Sequence, residues 1–243
     1  MYKDKDFLYE EFIVKRNTVK SIADKCNVSK STIEQYLKKY SLKRGNIKNT
    51  LNESKIDVTN PIFNYYIGLM ITDGYLDKKV KRASIRCKNE GSFEVFSKLK
   101  EYFEYTGCIR VYGSGNDLTI TSTKLIEVLN SMGVSSKGKA YNSFPKDFYN
   151  EECSKMFFRG MLDGDGNIHN KTFRITLSNK DFLEYMTKYL NNLLGIHTEV
   201  KKDRTYWKIE MRVNDSSVFL NWLYNGYKDF MFSDKYKKFL NLG

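Results

Sequence analysis

The sequence predicts an α+β protein: two copies of one helix-strand-strand-helix-strand-strand-helix unit, preceded by a small all-α segment. Three observations predict it. A nine-residue pattern ending in Asp-Gly occurs twice, as Tyr66-Ile-Gly-Leu-Met-Ile-Thr-Asp-Gly74 and Phe158-Arg-Gly-Met-Leu-Asp-Gly-Asp-Gly166, about one small domain apart. After each copy, short runs alternate apolar and polar residues and then give way to helical spacing. Ahead of the first copy, apolar residues recur at the spacing of three short helices.

In chain order, Phe7, Leu8, Phe12 and Ile13 form one apolar stripe, Val19, Ile22 and Ala23 a second, and Val28, Ile33, Leu37 and Tyr40 a third. Asn27 falls between the second and third, where a tight turn favours a residue that tolerates the left-handed region. Ser29 is placed to cap the third helix. Residues 46–60 are polar and read as a linker ending at Pro61. The first unit then reads as a helix from Ile62 to Thr72, strands near 74–77 and 80–88, a helix from Phe93 to Tyr105, strands near 108–112 and 118–122, and a helix from Lys124 to Met132. The second repeats the order: helix Cys153 to Gly164, strands near Ile168 and over 173–178, helix Lys180 to Leu194, strands near 198–202 and 206–213, and helix Ser216 to Tyr224. The expected divisions are 1–45, 46–60, 61–142 and 143–243.

Composition narrows the partner. The 243 residues carry a formal net charge of +12, which favours a polyanion, and residues 1–50 hold 12 basic against 6 acidic side chains. Nucleic acid is the first candidate. No apolar run reaches the length of a membrane span, and the charged start Met1 to Asp6 lacks the apolar centre of a signal peptide, so a cytoplasmic, nucleoid-associated protein is expected. Four scattered cysteines without a Cys-x-x-Cys pair read as reduced thiols, and two histidines offer little for a zinc site. Asp163-Gly-Asp-Gly-Asn167 begins like a calcium loop, but Ile168 and Arg174 stand where that loop needs Gly and Glu. No Walker A sequence, dinucleotide fingerprint or nucleophile elbow is found.

Strand alternation assigns faces. Ala83, Ile85 and Cys87 alternate with Arg82, Ser84, Arg86 and Lys88, and Trp207, Ile209, Met211 and Val213 with Lys208, Glu210 and Arg212. One face would pack on helices. The other is polar and basic in both units, as a sheet lying along a DNA groove would be. Arg82, Arg86, Arg110, Arg174, Lys208 and Arg212 are its candidate contacts.

Within each nine-residue pattern two small residues stand four apart, Gly68 with Thr72 and Gly160 with Gly164, and so share a helix face. Small residues there let two backbones come close. If the two helices pack together, Asp73 and Asp165 meet at their ends, with the following glycines as helix stops. Two carboxylates at two helix C-termini repel each other and require cations. A hard divalent ion takes such oxygens and keeps positions open for phosphate.

Two resemblances sharpen these readings. Ser21-Ile-Ala-Asp-Lys-Cys-Asn-Val-Ser-Lys-Ser-Thr-Ile-Glu-Gln-Tyr-Leu37 resembles the bacterial helix-turn-helix pattern, which makes 29–40 a recognition helix presenting Lys30, Ser31, Thr32, Gln35, Lys38 and Lys39. The paired nine-residue segments resemble the LAGLIDADG motif of monomeric, two-motif homing endonucleases, and the likeness extends over roughly residues 61–243. That resemblance implies paired saddle-shaped antiparallel sheets, a long asymmetric double-stranded DNA target cut on both strands, and Mg²⁺ or Mn²⁺ as cofactor. It implies Asp73 and Asp165 as metal ligands, with Thr72 and Gly164 beside them in the metal site, and Lys88, Lys137 and Lys235 as supporting basic residues. The second-copy equivalent of Lys88 is Ser178, a departure from the family pattern. The rival readings are a DNA-binding regulator that does not cut and an intron RNA maturase, both on the same scaffold.

Overall fold

A computed structural model describes residues 1–15, 17–43, 49–89, 91–113, 115–226 and 229–241. At the N-terminus, α1 (Lys5–Leu8), capped by the Asp4 carboxylate, runs into a π-helical turn over Tyr9–Val14, followed by α2 (Val19–Cys26) and α3 (Lys30–Lys39). Asn27 makes the turn between α2 and α3 at φ 51°, and Ser29 Oγ accepts from the Thr32 N–H, both as the sequence leads one to expect. Leu8, Ile22, Ala23, Ile33 and Leu37 close a small core of their own.

The first stripe departs from expectation. Instead of a plain amphipathic helix, the widened turn directs Glu11 inward, where it accepts hydrogen bonds from Lys25 Nζ at 2.7 Å, Asn17 Nδ2 at 2.8 Å and Lys15 Nζ at 3.1 Å. Burial alone would raise this carboxyl, but the bonds from Lys25, Lys15 and Asn17 outweigh it and hold it down at about 2.

Positions 46–48 of the expected linker lie outside the described residues. Residues 49–60 are tied to the first repeat: the Asn52 N–H donates to Phe103 O, Thr50 and Thr106 exchange bonds, and Ser122 Oγ donates to Glu53.

The first repeat comprises α4 (Pro61–Asp73), β1 (Gly74–Asp77), β2 (Arg82–Cys87), α5 (Ser92–Tyr102), β3 (Arg110–Tyr112), β4 (Gly115–Thr121) and α6 (Thr123–Ser131). The second comprises α7 (Glu151–Gly164), β5 (Gly166–His169), β6 (Thr172–Leu177), α8 (Lys180–Leu194), β7 (Val200–Asp203), β8 (Tyr206–Glu210) and α9 (Val213–Tyr224). Both repeats match the expected order. Asn60 caps α4 with Pro61 at its first position, and Asn150 and Asn179 cap α7 and α8. The sequence reading missed α10 (Ser233–Leu240), whose Tyr236 and Phe239 rings pack on Tyr224.

Each repeat forms a four-stranded antiparallel sheet, ordered β1-β2-β4-β3 and β5-β6-β8-β7. Inner-face residues Leu76, Ala83, Ile85, Leu118 and Ile120, and their counterparts Ile168, Phe173, Ile175 and Ile209, join the helices in one core that spans both repeats. Among the described residues no helix is long and apolar enough to cross a membrane.

The two motif helices, α4 and α7, hold the repeats together. A Cβ on Gly68 would stand 2.1 Å from Phe157 O, and one on Gly160 would stand 2.2 Å from Tyr65 O. Main chain therefore touches main chain at both crossings, which only glycine permits. The glycines after the aspartates follow the helix ends, as expected, without entering the left-handed region. Gly74 has φ −82° and ψ 156°, ordinary extended backbone, and begins β1 directly. What excludes a side chain there is space: a Cβ on Gly74 would lie 2.3 Å from Met70 O, and one on Gly166 would lie 2.6 Å from Leu162 Cα.

Candidate active site

Because α4 and α7 run side by side and end at the same level, they deliver Asp73 and Asp165 to one place between the sheets. Lys139 joins them: its Nζ lies 3.7 Å from Asp73 Oδ1 and 3.8 Å from Asp165 Oδ2. Burial pushes the Asp165 carboxyl up to about 6; Lys139 opposes this, Asp73 adds to it, and Lys235 opposes it.

Lys139 was not among the residues expected at the site. Lys137 was expected near the site; its N–H donates to Ser135 Oγ, and the ammonium beside both carboxylates is that of Lys139, two residues on. The chain reverses at Gly138, φ 112°, and a short 3₁₀ turn over Lys139–Tyr141 carries the second lysine to the carboxylates instead. Two asparagines hold that turn. Asn142 Nδ2 donates to Ile71 O at 2.9 Å while its Oδ1 accepts from the Ser135 N–H, and Asn179 Nδ2 donates to Ala140 O and Asn142 O. A run of Ser-Ser-Lys-Gly-Lys offers two lysines, and it is the second, its side chain 47% exposed, whose ammonium lies beside both carboxylates.

Lys235 is brought to the site as expected. It is buried at the start of α10, donates to Gly166 O, and is driven below the usual lysine range chiefly by burial. Lys88 follows β2 directly and is exposed at the polar end of the first sheet. Ser178, its counterpart, lines a cavity of about 240 Å³ with Asp165, Lys139, Asn142 and Tyr206. Thr72 is fully buried, and its hydroxyl donates back to Gly68 O and Leu69 O within its own helix. A Cβ on Gly164 would meet Thr72 Oγ1 at 2.0 Å, so these two residues abut across the helix pair.

Two further side chains were not anticipated as parts of the site. Cys87 ends β2 on the inner face and donates its thiol to Asp73 Oδ2 at 3.3 Å. Burial, first, and then Asp73 drive this thiol upward, so it stays protonated. Asp163 is completely buried beneath the site and accepts from Tyr65 OH at 2.7 Å and the Phe232 N–H at 3.0 Å. Burial lifts it to about 7 against the lowering effects of Tyr65, Phe232, Arg159 and Lys235. It pins both motif helices to the segment leading into α10 and does not reach the surface.

On the sheet faces, Arg82, Arg86, Arg110, Arg174 and Lys208 lie on strands as expected. Arg212 does not: β8 stops at Glu210, and Arg212 is the residue before α9, because the chain turns inward for Met211 to fill the core. Most of these cations face acidic neighbours. Arg82 lies 3.7 Å from Asp77, Arg86 3.4 Å from Asp117, and Lys208 3.6 Å from Asp203 and 3.3 Å from Glu210; Arg174 pairs with Glu210. On α3, Lys30, Ser31, Gln35, Lys38 and Lys39 are exposed and Thr32 is half-buried, bonded through its hydroxyl to Ser29.

The donor set suits a hard divalent ion. Two converging carboxylates at two helix C-termini, with only a side-chain ammonium between them, form a centre where positive charge is stabilised. Among the described residues no group of three or more His, Cys, Asp or Glu side chains is gathered so as to hold a metal ion by itself.

A family model for a LAGLIDADG-like domain matches residues 152–223. No curated protein matches the sequence. Among solved structures, mesophilic variants of the homing endonuclease I-DmoI are similar with a TM-score of 0.53 and 20% identity, over 70% of this chain and 99% of that one. The complex of I-DmoI with DNA and Mn is similar with a TM-score of 0.52 and 21% identity, over 70% and 99% of the two chains. Full-length DUF199/WhiA from Thermatoga maritima is similar with a TM-score of 0.50 and 16% identity, over 79% of this chain and 66% of that one. The chain thus has the fold of these LAGLIDADG structures, and residues 152–223 of its second repeat match the LAGLIDADG-like family model in sequence.

Proposed function

We infer that the protein is a site-specific DNA endonuclease of the homing type, acting as a monomer on a long, asymmetric duplex and hydrolysing one phosphodiester in each strand. The observation that carries this reading is the convergence of Asp73 and Asp165 on one cation, the Lys139 ammonium, midway between two sheets. Asp73 and Asp165 would hold Mg²⁺ or Mn²⁺, with the carbonyl oxygens of Thr72 and Gly164 as further donors. Such an ion lowers the pKa of a bound water and stabilises charge on the leaving oxygen. Lys139 would turn from the carboxylates to the phosphate, offsetting its charge, while Lys88 and Lys235 steady the scissile region from the two sides. The two oxygens of Asp73 are approached from different sides, Oδ2 by the Cys87 thiol and Oδ1 by the Lys139 ammonium, which fixes the plane of the carboxylate. The exposed side of α3, with Lys30, Ser31, Gln35, Lys38 and Lys39, would contact duplex DNA as a recognition helix and lengthen the site.

A second reading is a DNA-binding protein on the same scaffold that does not cut. One experiment separates them. A randomised duplex library is incubated with the protein and Mg²⁺ or Mn²⁺, alongside Asp73→Asn and Asp165→Asn. The endonuclease reading expects discrete staggered cuts, abolished by either substitution while duplex binding persists. Binding without cutting under either ion would refute it in favour of the second reading, and RNA would then be the next substrate to try.

A further inference from the structure

Arg82, Arg86, Arg110, Arg174 and Lys208 share the polar faces of the two sheets, and among these described cations Arg86 and Arg174 are oriented by hydrogen bonds to a carboxylate from a neighbouring strand. Arg86 Nη2 donates to Asp117 Oδ2, its cross-strand partner, and its guanidinium lies 4.7 Å from the centre of the Tyr112 ring. Asp117 is itself nearly buried and takes a second bond from Thr119 Oγ1 at 2.7 Å, so it cannot follow the arginine outward. Arg174 is held side-on: its Nε and Nη2 both donate to Glu210 Oε1, its cross-strand partner, and Glu210 is braced by Lys208. In both cases donors at the end of the guanidinium remain for another partner, and the plane of the fork is set before any DNA arrives.

A fixed, planar, end-on guanidinium matches the O6 and N7 acceptors of guanine in the major groove. Free lysines or unbraced arginines serve phosphates equally well; a braced one favours a partner of matching geometry. We propose that Arg86 and Arg174 each read one guanine, in opposite halves of the target, at unequal distances from its centre. The inequality follows from the register. Gly74 pairs with Ile85 in the first sheet and Gly166 with Ile175 in the second, which makes Ile85 and Ile175 equivalent. Arg86 lies one residue beyond Ile85, toward the Asp73 end of its strand, and Arg174 one residue before Ile175, away from Asp165. The two arginines are therefore offset by two strand residues, about 6.6 Å at ~3.3 Å per residue, or about two base pairs at ~3.4 Å each. The equivalent rungs carry no arginine: Ser84 faces Thr119 in the first sheet, and Thr176 faces Lys208 in the second. The recognition site is asymmetric in its guanines although the fold is nearly two-fold symmetric.

This inference rests on the duplex-binding half of the proposed function and not on cleavage, so it is tested by binding. The full chain is used to retain sites from a randomised duplex pool in EDTA, and the retained pool is sequenced for wild type, Arg86→Ala, Arg86→Lys and Arg174→Ala. Wild type should enrich one guanine in each half, with the Arg174 guanine about two base pairs farther from the centre. Arg86→Ala should erase only the nearer guanine and weaken binding to the selected site by roughly ten- to a hundredfold. Arg86→Lys, which keeps the charge, should restore affinity but not the guanine preference, and Arg174→Ala should erase only the farther guanine. The proposal is overturned if guanine preference survives Arg86→Ala or Arg174→Ala, if the two positions are equidistant, or if wild type enriches no sequence. If the selected site carries both guanines yet is never cut with Mg²⁺ or Mn²⁺, the endonuclease reading fails while this one stands.

Discussion

Replacing Asp165 by Asn should stabilise the folded protein while removing the carboxylate assigned to the metal. Burial lifts Asp165 to about 6, with Asp73 reinforcing and Lys139 and Lys235 opposing, whereas an aspartate in an unfolded chain titrates near 3.9. A carboxyl whose folded pKa is raised binds more protons in the folded than in the unfolded state between those values. Its contribution therefore falls as pH rises through that window and stays unfavourable above about pH 6. Two pKa units correspond to about 3 kcal/mol; water reaching the exposed 31% of the side chain screens this to about 2 kcal/mol. The isosteric, neutral Asn lifts the penalty. In a chain of this size, about 2 kcal/mol raises the melting temperature by roughly 4–8 °C. Thermal melts of wild type and variant, followed by circular dichroism at pH 4 and pH 7.5, measure it. The variant should melt higher at pH 7.5, and the gap should close at pH 4. An equal gap at both pH values, or a variant less stable at pH 7.5, would refute the reasoning, since neither can come from the charge on this carboxyl.

Gly160→Ala places a Cβ 2.2 Å from Tyr65 O and 2.9 Å from Leu69 N, so α4 and α7 must separate, and urea denaturation should show a loss of about 3 kcal/mol or more. A loss under about 1 kcal/mol would mean the helices are looser in solution than the structure has them. Glu11→Gln removes a carboxylate held at about 2, whose stabilisation is complete above about pH 4.5 and is lost as pH falls toward 2. Near neutral pH the variant should lose roughly 2 kcal/mol in the N-terminal helical unit, read by hydrogen exchange of α2 and α3 amides, and wild type should show the same loosening in acid. Lys139→Met removes the cation that lowers Asp165, so the acid limb of the cleavage profile should move to higher pH in initial rates measured from pH 5 to 8. An unmoved limb would separate Lys139 from the electrostatics of the site.

Much of the molecule was legible before any coordinates. The two nine-residue segments carry their own spacing rule: small residues four apart must share a helix face, and Gly68 and Gly160 do meet the facing main chain. Strand alternation put Ala83, Ile85 and Ile209 inward and Arg82, Arg86 and Lys208 on the polar face, because a period of two depends only on the local chain. Asn27 and Ser29 were readable for the same reason, since a left-handed turn and a helix cap are each decided within a few residues. That Asp73 and Asp165 would come together was readable from the same pattern, since each ends a helix whose small residues let it pack on the other.

What the sequence could not decide was anything fixed by residues distant along the chain. Arg212 left the sheet because Met211 is drawn into the core, a demand made by packing and not by local alternation. Glu11 entered the interior of the N-terminal unit because Lys25, from the next helix, reaches back to neutralise it. Asp163, two residues before Asp165, became a buried anchor because Tyr65 of the other motif helix and the Phe232 N–H both donate to it. Which of two neighbouring lysines would bridge the carboxylates depended on the turn at Gly138 and on Asn142 and Asn179 holding the next three residues in place. Periodicity and capping, decided by near neighbours, belong to the sequence; the pairing of charges across the fold depends on which distant segments meet, and only the tertiary structure decides that.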